Sequence, residues 1–349
     1  GMIEAGAETV MAAHIMQPAW SRALRPSIDD NAIMPASLAP ELNLDLLRGR
    51  LGFNGLIVSD ATSMTGMTAA MSRSEAVPRC IAAGCDVFLF AVDVKQDFGF
   101  MLAGLENGLL TPERLDEAVT NILALKAALG LHKQQAAGTL VPGPDALEVL
   151  NCAEHRAWAQ ACADRAVTLV KDTQGLLPLS PERHRRVLLY VLGDTGGYME
   201  AGSSGASGRF VELLAANGFD VTRFEYPKPG ADMWANRSTV SPLDTLAAYD
   251  LVVYFASLKT ASNQTTVRIH WALPMGGDAP KFVYDAPTLF VSVDNPYHLQ
   301  DVPMVKTFVN GYTSNEYVVA ATVERLLGRA PFTGVNPVDP FCGLWDARR

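Results

Sequence analysis

The sequence predicts an α/β fold built on parallel sheets and divided into two domains, and three observations carry that reading. Its short apolar runs lack the in–out alternation of half-exposed strands, so both faces of each are covered. Amphipathic helical stretches separate these runs, as parallel strand pairing requires. A stretch rich in Gly, Pro and Gln at residues 132–144 breaks the pattern.

The opening Gly1-Met2-Ile3-Glu4-Ala5-Gly6 lacks the charged and apolar regions of a signal peptide. It reads as the end of a helix capped by Gly6, as though the chain began inside a domain. Thr9-Val10-Met11-Ala12-Ala13 is the first strand and ends at His14. Residues 42–51 carry apolar positions at helical spacing and stop at Gly52. Gly55-Leu56-Ile57-Val58-Ser59 is the second strand, ending at Asp60, and Asp86-Val87-Phe88-Leu89-Phe90 is the third. Thr111 as N-cap and Pro112 at N1 open a helix that stops at Gly130. Past the linker, one long helix is predicted over 145–167, then strands at 186–192, 220–224, 251–256 and 288–293. A last helix spans about 314–327, capped by Ser314 or Thr313. This second half reads as a doubly wound α/β domain.

Composition narrows the function. The chain has 349 residues, 49% hydrophobic and 19% charged, so it can bury a sizeable core. A net charge of −9 leaves no basic surplus for a nucleic-acid partner. No apolar run approaches the roughly 18 residues of a membrane span. The five cysteines are scattered without CxxC spacing, which signals neither a metal site nor a disulfide framework. Gly193-Asp194-Thr195-Gly196-Gly197, with Gly205 and Gly208, lacks the spacing of a phosphate cradle and reads as a plain strand–helix loop. His184 lies in a solvated turn, and His298, Asp301 and Asn295 lie in a surface loop or reach towards a neighbouring site.

Asp60 is the leading catalytic candidate, because reactive groups in parallel α/β folds sit at the carboxyl ends of strands. Capping the next helix is the competing use of such an aspartate. Asp86 precedes its strand and so lies at the opposite face, where structural roles prevail. Asp93, just after the third strand, could face the same mouth as Asp60.

Several segments in order sharpen the reading of Asp60. Val10-Met11-Ala12-Ala13-His14-Ile15, Met34-Pro35-Ala36-Ser37-Leu38 and Gly52-Phe53-Asn54-Gly55-Leu56-Ile57-Val58-Ser59-Asp60 with Met64 resemble glycoside hydrolase family 3. So do Ala83-Gly84-Cys85-Asp86 and Ile122-Leu123-Ala124-Leu125-Lys126. Ala166-Val167-Thr168-Leu169-Val170-Lys171-Asp172 resembles the entry to that family's second domain. Asn295-Pro296-Tyr297 and residues 334–338 resemble its closing strands. The resemblance implies the C-terminal part of a (β/α)8 TIM barrel at 1–131, a linker and connecting helix at 132–167, and an αβα sandwich domain with a mostly parallel sheet at 168–349.

It also implies a retaining hydrolase of β-linked sugars, with no cofactor. Asp60, the aspartate of Ser-Asp-x-x-x-Met, would be the nucleophile. His14 would line the sugar site or hold the structure, and Met64 would shape the pocket floor or fill the core. The Ala-His and Pro-Ala-Ser segments favour the β-N-acetylhexosaminidase branch over β-glucosidases. Nothing here matches the branch's Lys-His-Phe-Pro-Gly-His-Gly stretch or its general acid/base. A full barrel takes roughly 250 residues, so a second chain or an upstream segment is expected to complete it. A β-glucosidase whose second domain supplies the acid, or a non-catalytic carbohydrate-binding remnant, are the alternatives. The compartment stays open: cytoplasmic by default, secreted if a signal lies upstream. The 349-residue chain alone is expected to turn over a chromogenic β-N-acetylglucosaminide slowly or not at all; near-normal rates would show that it carries its own acid.

Overall fold

A computed structural model of the chain describes residues 1–194, 205–226, 242–260 and 268–349. The chain divides into two compact units, Gly1–Ala146 and Leu147–Arg349. In the first, strands β1 (Thr9–Ala12), β2 (Leu56–Ala61) and β3 (Val87–Leu89) form a parallel sheet in that order. Helices α1 (Pro18–Leu24), α2 (Thr65–Thr68), α3 (Arg73–Ala82), α4 (Val94–Glu106), α5 (Pro112–Ala128) and α6 (Leu131–Ala136) accompany it. Glu41–Arg50 winds as a wide π-helix. This is the strand–helix alternation of a TIM-barrel-like domain, followed by an α/β sandwich.

Asp86 ties the lower ends of these elements together. Its carboxylate is fully buried, and Arg48 meets Oδ2 at 2.6 Å while Arg114 meets Oδ1 at 2.8 Å. The Ile57 amide and Asn121 donate to the same carboxylate. Arg48 also donates to the Phe53 and Gly55 carbonyls, which fixes the turn into β2. Behind the sheet, Leu38, Phe53, Ile57, Met67, Cys80 and Cys85 form the core.

In the second unit, α7 (Ala153–Ala166), α8 (Ala206–Ala216), α9 (Pro242–Ala248) and α10 (Glu316–Leu326) accompany a six-stranded sheet. Its strands are β4 (Thr168–Asp172), β5 (Arg186–Gly193), β6 (Asp220–Arg223), β7 (Leu251–Ser257), β8 (Thr288–Ser292) and β9 (Thr307–Asn310). The spatial order is β4-β9-β8-β7-β5-β6, with only β4 antiparallel. Alternation sends Val187 and Leu189 to one core and Leu188, Tyr190 and Leu192 to the other. Register then aligns Tyr190, Tyr254, Phe290 and Phe308 across four strands, with near-parallel rings 4.7, 6.0 and 4.9 Å apart. Lys171 donates to the carbonyls of Pro303, Ala347 and Arg349, and burial lowers its pKa to about 8.

Four sequence expectations change. The helix over 145–167 is two pieces, a 3₁₀ turn at Pro144–Val149 and α7, because Asn151 turns left-handed at φ 51°. The last helix is capped by Asn315, whose side chain accepts from the Val318 amide, not by Ser314 or Thr313. Residues 334–338 form no strand: Pro337 lacks an amide. There Gly334 passes so close over the start of β4 that a Cβ would lie 2.3 Å from the Ala166 carbonyl. His184 is buried rather than solvated, and burial lowers its pKa.

Two outcomes follow. Asp86→Ala leaves two part-buried guanidinium groups, the Asn121 amide and the Ile57 N–H without their shared partner and should destabilise the first unit by about 3–5 kcal/mol in urea unfolding. His298 is 1% exposed, its Nδ1 meets Ser292 Oγ at 2.9 Å, and burial holds its pKa at about 4 against an ordinary 6.5. The unfolded chain therefore gains this proton first as pH falls. Stability should drop by up to about 3 kcal/mol between pH 6.5 and 4. In calorimetry across that range, His298→Asn should flatten the slope, and an unchanged slope would refute the assignment.

Candidate active site

β2 presents Asp60 by strand alternation. Ile57 and Ser59 are fully buried against the helices, so Val58 and Asp60 point to the opposite, half-buried face. On that face Met11 of β1 lies opposite Val58 and is 57% exposed. Asp60 falls inside β2, one residue before its end, rather than just beyond it. Its Oδ1 accepts from the Ala61 amide at 2.7 Å. Among the described residues its other oxygen accepts no hydrogen bond, which leaves it open to a ligand.

His14 stands at the end of β1, buried, with both ring nitrogens engaged. Nδ1 meets Ser37 Oγ at 2.7 Å and Nε2 meets the Ala61 carbonyl at 2.9 Å. A carbonyl can only accept, so Nε2 carries a proton; in the neutral ring Nδ1 then accepts from the Ser37 hydroxyl. Ser37 comes from the Pro-Ala-Ser segment and is wholly buried. The two segments that the sequence set 23 residues apart thus meet beside the residue after Asp60.

Met64 is half-buried, and its amide donates to the Ala61 carbonyl at 3.0 Å. Its own carbonyl accepts from Met67 and Thr68, opening α2. The methionine that fills the core at this turn is Met67, 1% exposed. Gly66 is required there, since a Cβ would lie 2.6 Å from the His14 carbonyl oxygen. Asp93 caps α4, accepting from the Gln96 amide at 2.8 Å.

Sequence reasoning missed Arg73 and Asp97. Arg73 Nη2 meets both Asp97 oxygens at 2.7 Å, and Nη1 donates to the Thr62 carbonyl at 3.0 Å. Ser72-Arg73-Ser74-Glu75 reads as an ordinary solvated helix start, and the partner lies 24 residues away. The one available signal was a second aspartate in the first turn of α4 behind the capping Asp93. His298 and Asp301 do not form an exposed loop: His298 bonds Ser292, and Asp301 pairs with Arg268 and the Ile269 amide. Thr195, Gly196 and Gly197 of the glycine-rich loop lie outside the described residues; of its remainder, Asp194 accepts from Ser207. Among the described residues no cluster of His, Cys, Asp or Glu could hold a metal ion.

Residues 1–125 match the family model described as "Glycosyl hydrolase family 3 N terminal domain". The chain is 52% identical over 345 residues to a β-N-acetylglucosaminidase/β-glucosidase of Cellulomonas fimi, covering 99% of this chain and 60% of that protein. A solved structure described as a β-glucoside phosphorylase superposes with a TM-score of 0.89 at 48% identity, over 99% of this chain and 60% of that one. A family 3 β-N-acetylglucosaminidase from Paenibacillus sp. shares the fold, with a TM-score of 0.68 at 22% identity over 97% of this chain and 59% of its own. The chain thus spans about 60% of the length of these relatives. Ordered motifs, strand-end carboxylate and these likenesses agree: residues 1–125 match the N-terminal domain of glycoside hydrolase family 3, and the likeness to these relatives runs over nearly the whole chain.

Proposed function

We propose that this chain carries the nucleophile of a retaining enzyme that cleaves terminal β-linked sugars, with N-acetylhexosamine as the preferred glycone. The observation that carries it is Asp60 itself. It is a half-buried carboxylate at the carboxyl end of a parallel strand, with one oxygen anchored and the other free among the described residues. Such a group stabilises oxocarbenium charge at an anomeric carbon and then bonds it. The Ala-His and Pro-Ala-Ser segments support the amino-sugar reading, and the Cellulomonas fimi relative is named for N-acetylglucosaminides as well as glucosides. His14 and Ser37 act on this reading through the backbone after Asp60, and Met64 borders the sugar site.

The general acid and further sugar ligands sit on additional strand–helix units that complete the barrel. The outer edges of β1 and β3 are unpaired among the described residues. Beside β3 an apolar groove of about 530 Å³ runs between α4 and α5, and Phe90 and Phe98 are 69% and 64% exposed. Unpaired edges and apolar faces of this kind pair readily with further strands.

A second reading concerns the acceptor and the glycone. The 48% identical structure is described as a phosphorylase of β-glucosides. On that reading phosphate, rather than water, resolves the glycosyl-enzyme, and glucosides compete with N-acetylglucosaminides.

A dinitrophenyl 2-deoxy-2-fluoro-β-glycoside needs little acid assistance and traps the covalent intermediate. In the longest natural form of the chain, peptide mass analysis should find the sugar on Asp60, with no adduct in Asp60→Asn. An adduct on another residue would overturn the assignment. Turnover of N-acetylglucosaminide and glucoside with and without phosphate decides between the readings: a glycosyl phosphate product means phosphorolysis.

A further inference from the structure

Three successive carbonyls at the end of β2 are each held by a side chain. Ser59 Oγ donates to the Asp60 carbonyl at 2.8 Å, His14 Nε2 to that of Ala61 at 2.9 Å, and Arg73 Nη1 to that of Thr62 at 3.0 Å. Ser59 is itself fixed, since it accepts from the Leu89 amide at 2.9 Å. The backbone that aims the Asp60 carboxylate is therefore pinned by contacts from β1, β2, β3 and α3.

Arg73 is the member of this set that reaches furthest. Its two terminal nitrogens divide the work: Nη2 is held by both Asp97 oxygens, which leaves Nη1 aimed at the Thr62 carbonyl. Asp97 is 1% exposed, and its Oδ2 also accepts from the Val92 amide at 3.1 Å. Thr62 Oγ1 donates to the Phe90 carbonyl at 2.8 Å, and the Thr62 amide to that of Leu89 at 3.1 Å. One ion pair thus couples the segment leaving β2 to the segment leaving β3. Phe90 holds a left-handed φ of 59° there, a conformation that persists only where its surroundings impose it.

Stability alone does not call for such a pair. Apolar residues of similar volume often hold a buried site as well or better, because they avoid desolvating two charges. Arg73 Nε is moreover buried without a partner among the described residues. What an apolar pair cannot supply is a fixed donor to the Thr62 carbonyl.

We propose that Arg73, seated on Asp97, is a positioning residue for the Asp60 nucleophile. The proposal rests on the reading of Asp60 given above. Arg73 touches no reacting atom; it fixes where the carboxylate stands when the anomeric carbon approaches. Misplacement of such a group by about 1 Å can cost on the order of 10²-fold in rate.

The test uses the longest natural form of the chain and an activated aryl glycoside. The double variant Arg73→Met/Asp97→Leu should keep Tm within a few degrees of the parent while kcat falls at least about tenfold and KM stays unchanged. Arg73→Lys keeps a charge for Asp97 but loses the second nitrogen that holds the Thr62 carbonyl; kcat should fall several-fold, less than in the double variant. Parent-like kcat in either folded variant would overturn the proposal. Asp60→Gly with azide separates this from the underlying reading. Activity retained by Asp60→Gly without azide would refute the nucleophile itself, whereas its loss with rescue as a glycosyl azide, beside a normal Arg73→Lys, would refute the clamp alone.

Discussion

The first unit depends on one buried carboxylate. Asp86 has no solvent to satisfy it, so its two oxygens must be met by protein, and the chain supplies Arg48, Arg114, Asn121 and the Ile57 amide. The donors come from three structural layers: Arg48 from the wide helix before β2, Arg114 and Asn121 from the long α5 behind the sheet, and Ile57 from β2 itself. Their convergence fixes the amino ends of β2 and β3 against one another. The carboxyl ends, three to five residues further on, are then set by the strands themselves. Asp60 can stand at one end of β2 because Asp86 holds the other.

That division matches a general constraint on parallel sheets. Charge buried at the amino ends holds the frame, while the carboxyl ends carry the chemistry and accept strain. Here the strain sits at Phe90 and the proposed nucleophile is Asp60, with the Arg73–Asp97 pair joining the segments that carry them. Ser37 and His14 complete the carboxyl-end network without any charged partner. The second unit uses a different device. Its four-ring stack across β5, β7, β8 and β9 is a consequence of register, because aromatic residues at one level of a parallel sheet must meet.

Much of this frame was legible in the residues. The unbroken apolar runs marked most of the strands, and Thr111-Pro112 marked the start of α5, since the threonine side chain accepts from Arg114 as its cap. β4 was met only as a resemblance and β9 was missed, although β9 carries Phe308 at the end of the ring stack. The predicted single helix over 145–167 failed at Asn151, where propensity favoured continuation but a left-handed residue broke it. Residues 334–338 failed as a strand at Pro337, which lacks an amide; the close pass of Gly334 over the start of β4 is a property of packing, invisible to pattern.

The candidate site divides in the same way. By itself the sequence determined that a carboxylate ends a buried parallel strand, because apolar continuity and chain position are local properties. Ordered segments on either side carried the resemblance to glycoside hydrolase family 3, which residues 1–125 match. Only the tertiary structure decided that His14 spends both ring nitrogens on Ser37 and the Ala61 carbonyl, that Met67 rather than Met64 fills the core, and that Arg73 finds Asp97. Those partners lie 23 to 47 residues apart in the chain. Hydrogen bonds reach about 3 Å, and which distant residues come that close is set by how the layers pack, which no local pattern encodes.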